Sequence, residues 1–417
     1  MSVVIVGAGQ AGVQVADTLR AEGYEREITL ISGESCQPYQ RPPLSKDFMV
    51  PGHEAAALPL RGGDYFEQRQ ISMLSGAWVD GLDRGARTIR VGGRELGYEH
   101  LVLATGQVAR SLDVPGVELP GVHTLRTLQD ATALHSRLAA ARSVVVVGSG
   151  YIGLEFASAA RAHGCEVHVL SPSAPLRRSV SGMMSKWVGE AHAGAGTTLH
   201  PAESVASFEA GSDGSVATVL TTGGLRLAAD LVVIGVGATP VVDLASRAGL
   251  GVGDGIEVDG ALRTTDPRIM AIGDCASFPN VFTGTRTRLE SVQNATDQGR
   301  HAARSILASD AGAQAAPYEE LPWFWSVQGK NRIQLAGLAA CHDDALLLGD
   351  QESGKFSIAR FNNGALCAVE SVNCAADHLA ARTLLSARVR LSPEAVMEPG
   401  FTLKAAAQAH KSAALAA

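Results

Sequence analysis

The chain has 417 residues, 46 % of them apolar and 18 % charged, with 46 glycines and a formal charge of −7. That length divides most naturally into two or three domains, and the composition describes a folded α/β protein rich in tight turns, which excludes disordered and fibrous classes. Net negative charge and a sequence pI of about 6.0 exclude a generally basic, nucleic-acid-binding face.

In chain order, the apolar run from Val3 to Val6 enters Gly7, Gly9 and Gly12, and "VQVADTLRAEG" then carries apolar residues at helical spacing up to Gly23. The strand "EITLIS" follows and ends near Gly33 and Glu34, which predicts a βαβ unit of the dinucleotide-binding kind. Next, "YEHLVLATG" predicts a strand running into a small-residue turn at Ala104, Thr105 and Gly106. From residue 143 the first design repeats: "SVVVVG", a glycine turn, the helical "YIGLEFASAARAHG" and the strand "EVHVLS". Two such units predict two nucleotide sites. "ADLVVIGVGATP", which contains Gly237, predicts a strand matching the one before Gly106, and the pair marks the crossings between domains. "TDPRIMAIGDCAS" reads as an apolar strand closing on Gly273 and Asp274, and the aromatic "LPWFWSVQGKNRIQLAG" opens a third domain from about residue 319. The alanine-rich tail "KAAAQAHKSAALAA" reads as a weak helix or a frayed end.

The first glycine turn begins at residue 7, which leaves no room for a charged and apolar leader, and no run is long enough to cross a bilayer; the expectation is a cytoplasmic protein. Cys36, Cys165, Cys275, Cys341, Cys367 and Cys374 are scattered with no C-x-x-C pair, and His123, His163, His168 and His200 fall at no metal spacing.

Each turn has a chemistry that its residue types explain. In GAGQAG the first glycine permits the bend, the second lets backbone N–H groups approach a pyrophosphate, and the third packs the helix on the strand, so that the helix N-terminus faces the anion. GSGYIG, with Gly148, Gly150, Tyr151, Ile152 and Gly153, supplies the same parts. An acidic residue about 20 positions on holds the ribose hydroxyls. Glu34 suits that role, with a solvated turn residue as the other reading. In the second unit the corresponding place is Ser171, and Arg177 and Arg178 follow where a carboxylate is missing. This predicts comparable or only modestly biased use of NADH and NADPH, since an arginine can meet a 2′-phosphate that a carboxylate would repel.

The order GAGQAG, "PYQRPPLSK" (38 to 46), "LVLATG" (101 to 106), "GSGYIGLE" (148 to 155), "IMAIGDCA" (269 to 276), "LESVQNA" (289 to 295) and "WFWS" (323 to 326) resembles the FAD-dependent NAD(P)H ferredoxin reductases of oxygenase and cytochrome P450 systems, over nearly the whole chain. The resemblance implies two Rossmann-like dinucleotide-binding domains and an α+β C-terminal domain: residues 1–112 and 240–318 for FAD, 113–239 for NAD(P) and 319–417 as an interface domain. It implies that Gly7, Gly9, Ala11 and Gly12 hold the FAD pyrophosphate and that Arg41, Lys46, Val79 and Arg126 surround the flavin. Ala104, Thr105, Gly106 and Gly237 join the cofactor set at the crossings. Asp274 would bond the ribityl or pyrophosphate portion, and Val292 would offer backbone near the pyrimidine.

Three residues carry the chemistry in that comparison. Lys46 is the cation near the flavin, Glu155 its partner where nicotinamide meets flavin, and Trp325 the aromatic cover of the isoalloxazine. The other reading of Glu155 is a carboxylate capping or solvated in the first helical turn, and that of Trp325 a domain-interface core residue. This chain reads "FWSVQGK" where relatives read nearer to "FWSDQYD", losing an acid at Val327 and gaining Lys330. The implied reaction takes a hydride from NAD(P)H and passes single electrons to a [2Fe–2S] ferredoxin. A Cys36-dependent peroxidase, oxidase or coenzyme A disulfide reductase is the alternative enzyme, and a flavoprotein acting as an interaction module the non-catalytic one.

Overall fold

A computed structural model describes residues 2–50, 58–339 and 344–416, so Cys341 lies outside the described residues. The chain divides into two compact units: Met1–Gln40, Ala56–Val108 and Thr239–Glu320 form one, and Arg41–Ala55, Ala109–Ala238 and Leu321–Ala417 the other.

The first unit is built on a five-stranded parallel sheet in the order Ile269–Ala271, His100–Leu103, Val3–Val6, Ile28–Ile31, Ile71–Leu74. Every residue of the three central strands is buried, which accounts for their continuous apolar runs: a parallel strand covered on both faces has no solvent side to alternate with. The helix Gln10–Ala21 leaves the first glycine turn and packs against the helix Val292–Asp310. Gly299 makes that approach possible, since a Cβ there would stand 2.8 Å from Ala11 O. A three-stranded antiparallel meander, Val79–Asp83, Thr88–Val91 and Arg94–Gly97, completes the part that concerns the site.

The second unit repeats the device. Its parallel sheet runs Thr197–Pro201, Glu166–Ser171, Ser143–Val147, Leu231–Ile234, Val122–Thr124, and the helix Tyr151–Ala162 leaves the second glycine turn. The stretch "ADLVVIGVGATP" is two strands rather than one, broken at Gly235 to Gly237, where Gly237 has φ +104°. The two turns are built alike atom by atom. Gly7 (φ +112°) and Gly148 (φ +110°) have no room for a side chain: a Cβ would meet Ala104 O at 2.1 Å and Gly235 O at 2.3 Å.

The same unit holds a five-stranded antiparallel sheet, in the order Trp323–Gln328, Asn331–Gly337, Ala365–Val372, Lys355–Asn362, Asp344–Asp350. The tail is a regular helix, Leu403–Ala416, and not a frayed end, because Leu403 and Ala407 are buried and the helix packs along Ala375–Ser386. Among the described residues no helix is long and apolar enough to cross a membrane.

Candidate functional site

The register of the first sheet brings its candidate residues to one edge. Val6 lies opposite both Ile31 and Leu103, and Leu103 opposite Ala271, so Gly7, Ala104 and the Gly273–Cys275 turn carrying Asp274 all emerge from the carboxyl ends of neighbouring strands. That edge is where open α/β sheets bind ligands. Thr105 donates its hydroxyl to Val241 O at 2.7 Å, and Gln298 Oε1 accepts from Gly273 N at 2.7 Å, which fixes both turns. Val292 opens its helix behind Ser291, whose hydroxyl accepts from Asn294 N. Glu34 stands three residues beyond the second strand, half-buried, with Oε2 accepting from Tyr39 Oη at 2.6 Å. Val79 is half-buried in the meander opposite Val91. The Cys275 thiol is fully enclosed, and burial pushes its pKa up; Cys36 is half-buried.

Gly9 and Gly150 test whether a dinucleotide fits. Both have ordinary extended backbone, with φ −77° and −76°, and a Cβ on either would meet nothing within 4 Å. Nothing in the polypeptide demands glycine at these two positions. A phosphate approaching the backbone N–H groups does, so the residues present fit a bound pyrophosphate at both turns.

In the second unit the end of the Glu166–Ser171 strand departs from the expected ribose site. Ser171 is buried, accepts from Ser149 Oγ at 2.7 Å and from Ser173 N at 3.3 Å, and so ties the strand to the glycine turn instead of facing outward. Arg177 and Arg178 are exposed on the following loop. Tyr151 packs against Phe324, with ring centroids 4.5 Å apart, and burial together with the Glu370 and Glu155 carboxylates pushes its phenol pKa up. Ile152 is exposed beside it.

Arg41, Lys46 and Arg126 belong to this second unit. Arg41 donates to Arg126 O at 2.8 Å, and the Arg126 backbone is itself held by Asp130, the third residue of a capping box begun by Thr127. Lys46 follows the short helical turn Pro42–Ser45, and its Nζ lies 2.8 Å from Glu155 Oε2. Glu155 is 4 % exposed, which rules out the solvated first-turn reading. Two serines complete its surroundings: Ser45 donates to Oε2 at 2.5 Å and Ser326 to Oε1 at 2.6 Å. Both stand inside stretches singled out in the sequence, yet nothing in their spacing announces a shared acceptor. A carboxylate with three donors on its two oxygens is held in one orientation, and it holds the ammonium in turn. Trp325 is half-buried, 5.6 Å from the Trp323 ring, over which the Arg382 guanidinium stacks at 4.2 Å.

Comparison with known proteins places this geometry. The family described as Pyridine nucleotide-disulphide oxidoreductase matches residues 1–299, and the one described as Reductase C-terminal matches residues 323–407. The chain belongs to the pyridine nucleotide-disulphide oxidoreductase family. It is 42 % identical over 413 residues to rhodocoxin reductase of Rhodococcus erythropolis, covering 99 % of this chain and 95 % of the relative. With putidaredoxin reductase of Pseudomonas putida it shares 35 % identity over 422 residues and 99 % of each chain. The crystal structure of a ferredoxin reductase from Rhodopseudomonas palustris superposes with a TM-score of 0.93 at 42 % identity, over 97 % of this chain and 99 % of that one. A putidaredoxin reductase crystallised in covalent complex with putidaredoxin gives a TM-score of 0.93 at 36 % identity, over 98 % and 99 %. The family is one of enzymes, and the fold of two Rossmann-like cores with an antiparallel C-terminal sheet is that of these relatives.

Proposed function

We propose that the chain is an NAD(P)H:ferredoxin oxidoreductase of the cytoplasm, holding FAD on its first glycine turn and NAD(P)H on its second, and serving a [2Fe–2S] ferredoxin that feeds an oxygenase or cytochrome P450. The observation that carries this reading is the pair of equivalent turns with an open central glycine in each. Bound FAD supplies the conversion between the two-electron chemistry of a nicotinamide and the one-electron chemistry of an iron–sulfur cluster.

The chain's own residues bind and orient. Gly7, Gly9, Ala11 and Gly12 present backbone to the FAD pyrophosphate, Glu34 takes the ribose, and Ala104, Thr105, Gly106, Asp274 and Val292 line the same sheet edge, with Val79 completing the surroundings. In this reading residues 1–112 and 240–318 serve FAD, 113–239 the nicotinamide nucleotide and 319–417 the interface. Gly148, Gly150, Tyr151, Ile152, Gly153 and Gly237 shape the nucleotide turn. Lys46, fixed by Glu155, offers a positive charge held out of bulk water, where a reduced ring gains most from it. In this reading Arg41 and Arg126 complete the surroundings of the flavin, and Trp325 shields the ring from solvent. With Ser171 turned inward, Arg177 and Arg178 are the charges left to meet a 2′-phosphate, which favours comparable use of both nucleotides.

The relatives named for rhodocoxin and putidaredoxin support the ferredoxin partner. A Cys36 thiol enzyme has less support, because relatives at 35 % and 42 % identity bear ferredoxin-type reductase names. The test is NAD(P)H-driven reduction of cytochrome c with and without a [2Fe–2S] ferredoxin. Strong stimulation by ferredoxin, unaffected by Cys36→Ser, is expected; rates equal with and without it, or lost in the Cys36→Ser protein, contradict the proposal.

A further inference from the structure

The Lys46–Glu155 pair is the end of a longer buried chain. Ser326, on the strand Trp323–Gln328, donates to Glu155 Oε1, and Gln328, two residues on and therefore on the same face of that strand, donates from Nε2 to Ser326 Oγ at 3.2 Å. At the far side of the amide, Gln328 Oε1 lies 3.0 Å from His192 Nε2, on the helix Gly182–Gly194. Ser326, Gln328 and His192 are 0 %, 4 % and 5 % exposed, so solvent does not compete for these bonds.

Chemistry gives the chain a direction. A carboxylate only accepts, so Ser326 commits its proton to Glu155 and its oxygen receives from Gln328. That demand turns the amide NH₂ toward Ser326 and its carbonyl toward His192. A carbonyl also only accepts, so His192 must carry a proton on Nε2. Burial lowers the His192 pKa from its ordinary value, against a smaller opposing effect of the Gln328 bond, which keeps the ring neutral with that single N–H.

We propose that Ser326, Gln328 and His192 are positioning residues, a one-directional hydrogen-bond chain that fixes the orientation of Glu155 and, through it, the place of the Lys46 ammonium. The geometry stands by itself; its kinetic consequence rests on the reading of Lys46 and Glu155 given above. Because an amide stands in the middle, the chain orients rather than conducts protons.

The experiment has two arms on the FAD-loaded protein. In the first, ¹⁵N-histidine spectra, with His192→Asn to identify the resonance, should show the Nε2–H tautomer. Ser326→Ala removes the acceptor that orients the amide and should let His192 populate the Nδ1–H form, while Ser326→Thr, which keeps the hydroxyl, retains the original tautomer. In the second, Ser326→Ala and Gln328→Leu should slow single-turnover flavin reduction at saturating nucleotide about three- to tenfold with nucleotide Kd unchanged, and this loss should vanish in a Glu155→Gln background. A wild-type Nδ1–H tautomer, or unchanged rate constants in both variants, overturns the proposal. Should the wild-type flavin not be reduced at all, the reading of the reaction fails while the tautomer arm still decides the chain.

Discussion

The helices that leave the two glycine turns start from the same backbone and end in opposite uses. Two residues past the last glycine, the first helix carries Gln14 and the second Glu155. Gln14 donates to Thr18 on its own helix at 2.9 Å, and its Cβ side is closed by the helix bearing Gly299. Glu155 instead gathers Lys46, Ser45 and Ser326 from segments 109 to 171 residues away. The difference teaches that the turn supplies phosphate binding to both units alike, while reactive charge is an addition made by one side chain and the segments that reach it.

The sharpest way to break that contrast is to remove a partner. Lys46→Met leaves Glu155 buried without its cation and should cost about 3–5 kcal/mol in a denaturant titration, whereas Gln14→Ala, which removes a single part-buried bond between neutral groups, should cost about 0.5–1.5 kcal/mol. Similar losses in the two variants would erase the distinction. Next come the open glycines. Gly9→Ala and Gly150→Ala should each leave thermal stability within about 1 kcal/mol of the parent, since neither Cβ meets the protein. Yet Gly9→Ala should release FAD on gel filtration, and Gly150→Ala should keep FAD while weakening NAD(P)H binding in a flavin-reduction titration. Swapped phenotypes would reverse the assignment of the two turns.

A smaller effect lies at the ribose positions. Ser171→Asp exchanges the inward bond to Ser149 for a longer acid that must leave the buried position, and the displaced carboxylate should raise the NADH-to-NADPH ratio of kcat/KM about tenfold, or about 1.4 kcal/mol, by repelling a 2′-phosphate. Arg177→Ala, on an exposed loop, should reduce NADPH kcat/KM about two- to threefold and leave NADH unchanged, an effect that falls away at high salt. Steady-state assays with both nucleotides check these two variants, and an NADH loss equal to the NADPH loss for Arg177→Ala would remove that arginine from the site.

Much of this was legible in the sequence because it is local. Continuous apolar runs announce strands buried on both faces, and the glycine spacing announces turns whose missing side chains are explained by carbonyls such as Ala104 O and Gly235 O. What was illegible is what depends on contact between distant segments. The sequence marks Ser45 and Ser326 only as neighbours of Lys46 and Trp325, and their meeting at Glu155 is a product of the fold. Likewise Ser171 sits where a ribose acid is expected, and only its bond to Ser149 reveals that it faces the turn. The grouping of Arg41–Ala55 with the second unit is invisible to any reading by chain order.

The most direct test of the account is anaerobic rapid mixing of the purified, FAD-loaded protein with NADH or NADPH while the flavin absorbance is followed. The account predicts one tightly held FAD per chain and loss of its oxidised absorbance with either nucleotide. A polypeptide that takes up no flavin on reconstitution, or a flavin that keeps its oxidised spectrum with both nucleotides, would contradict it.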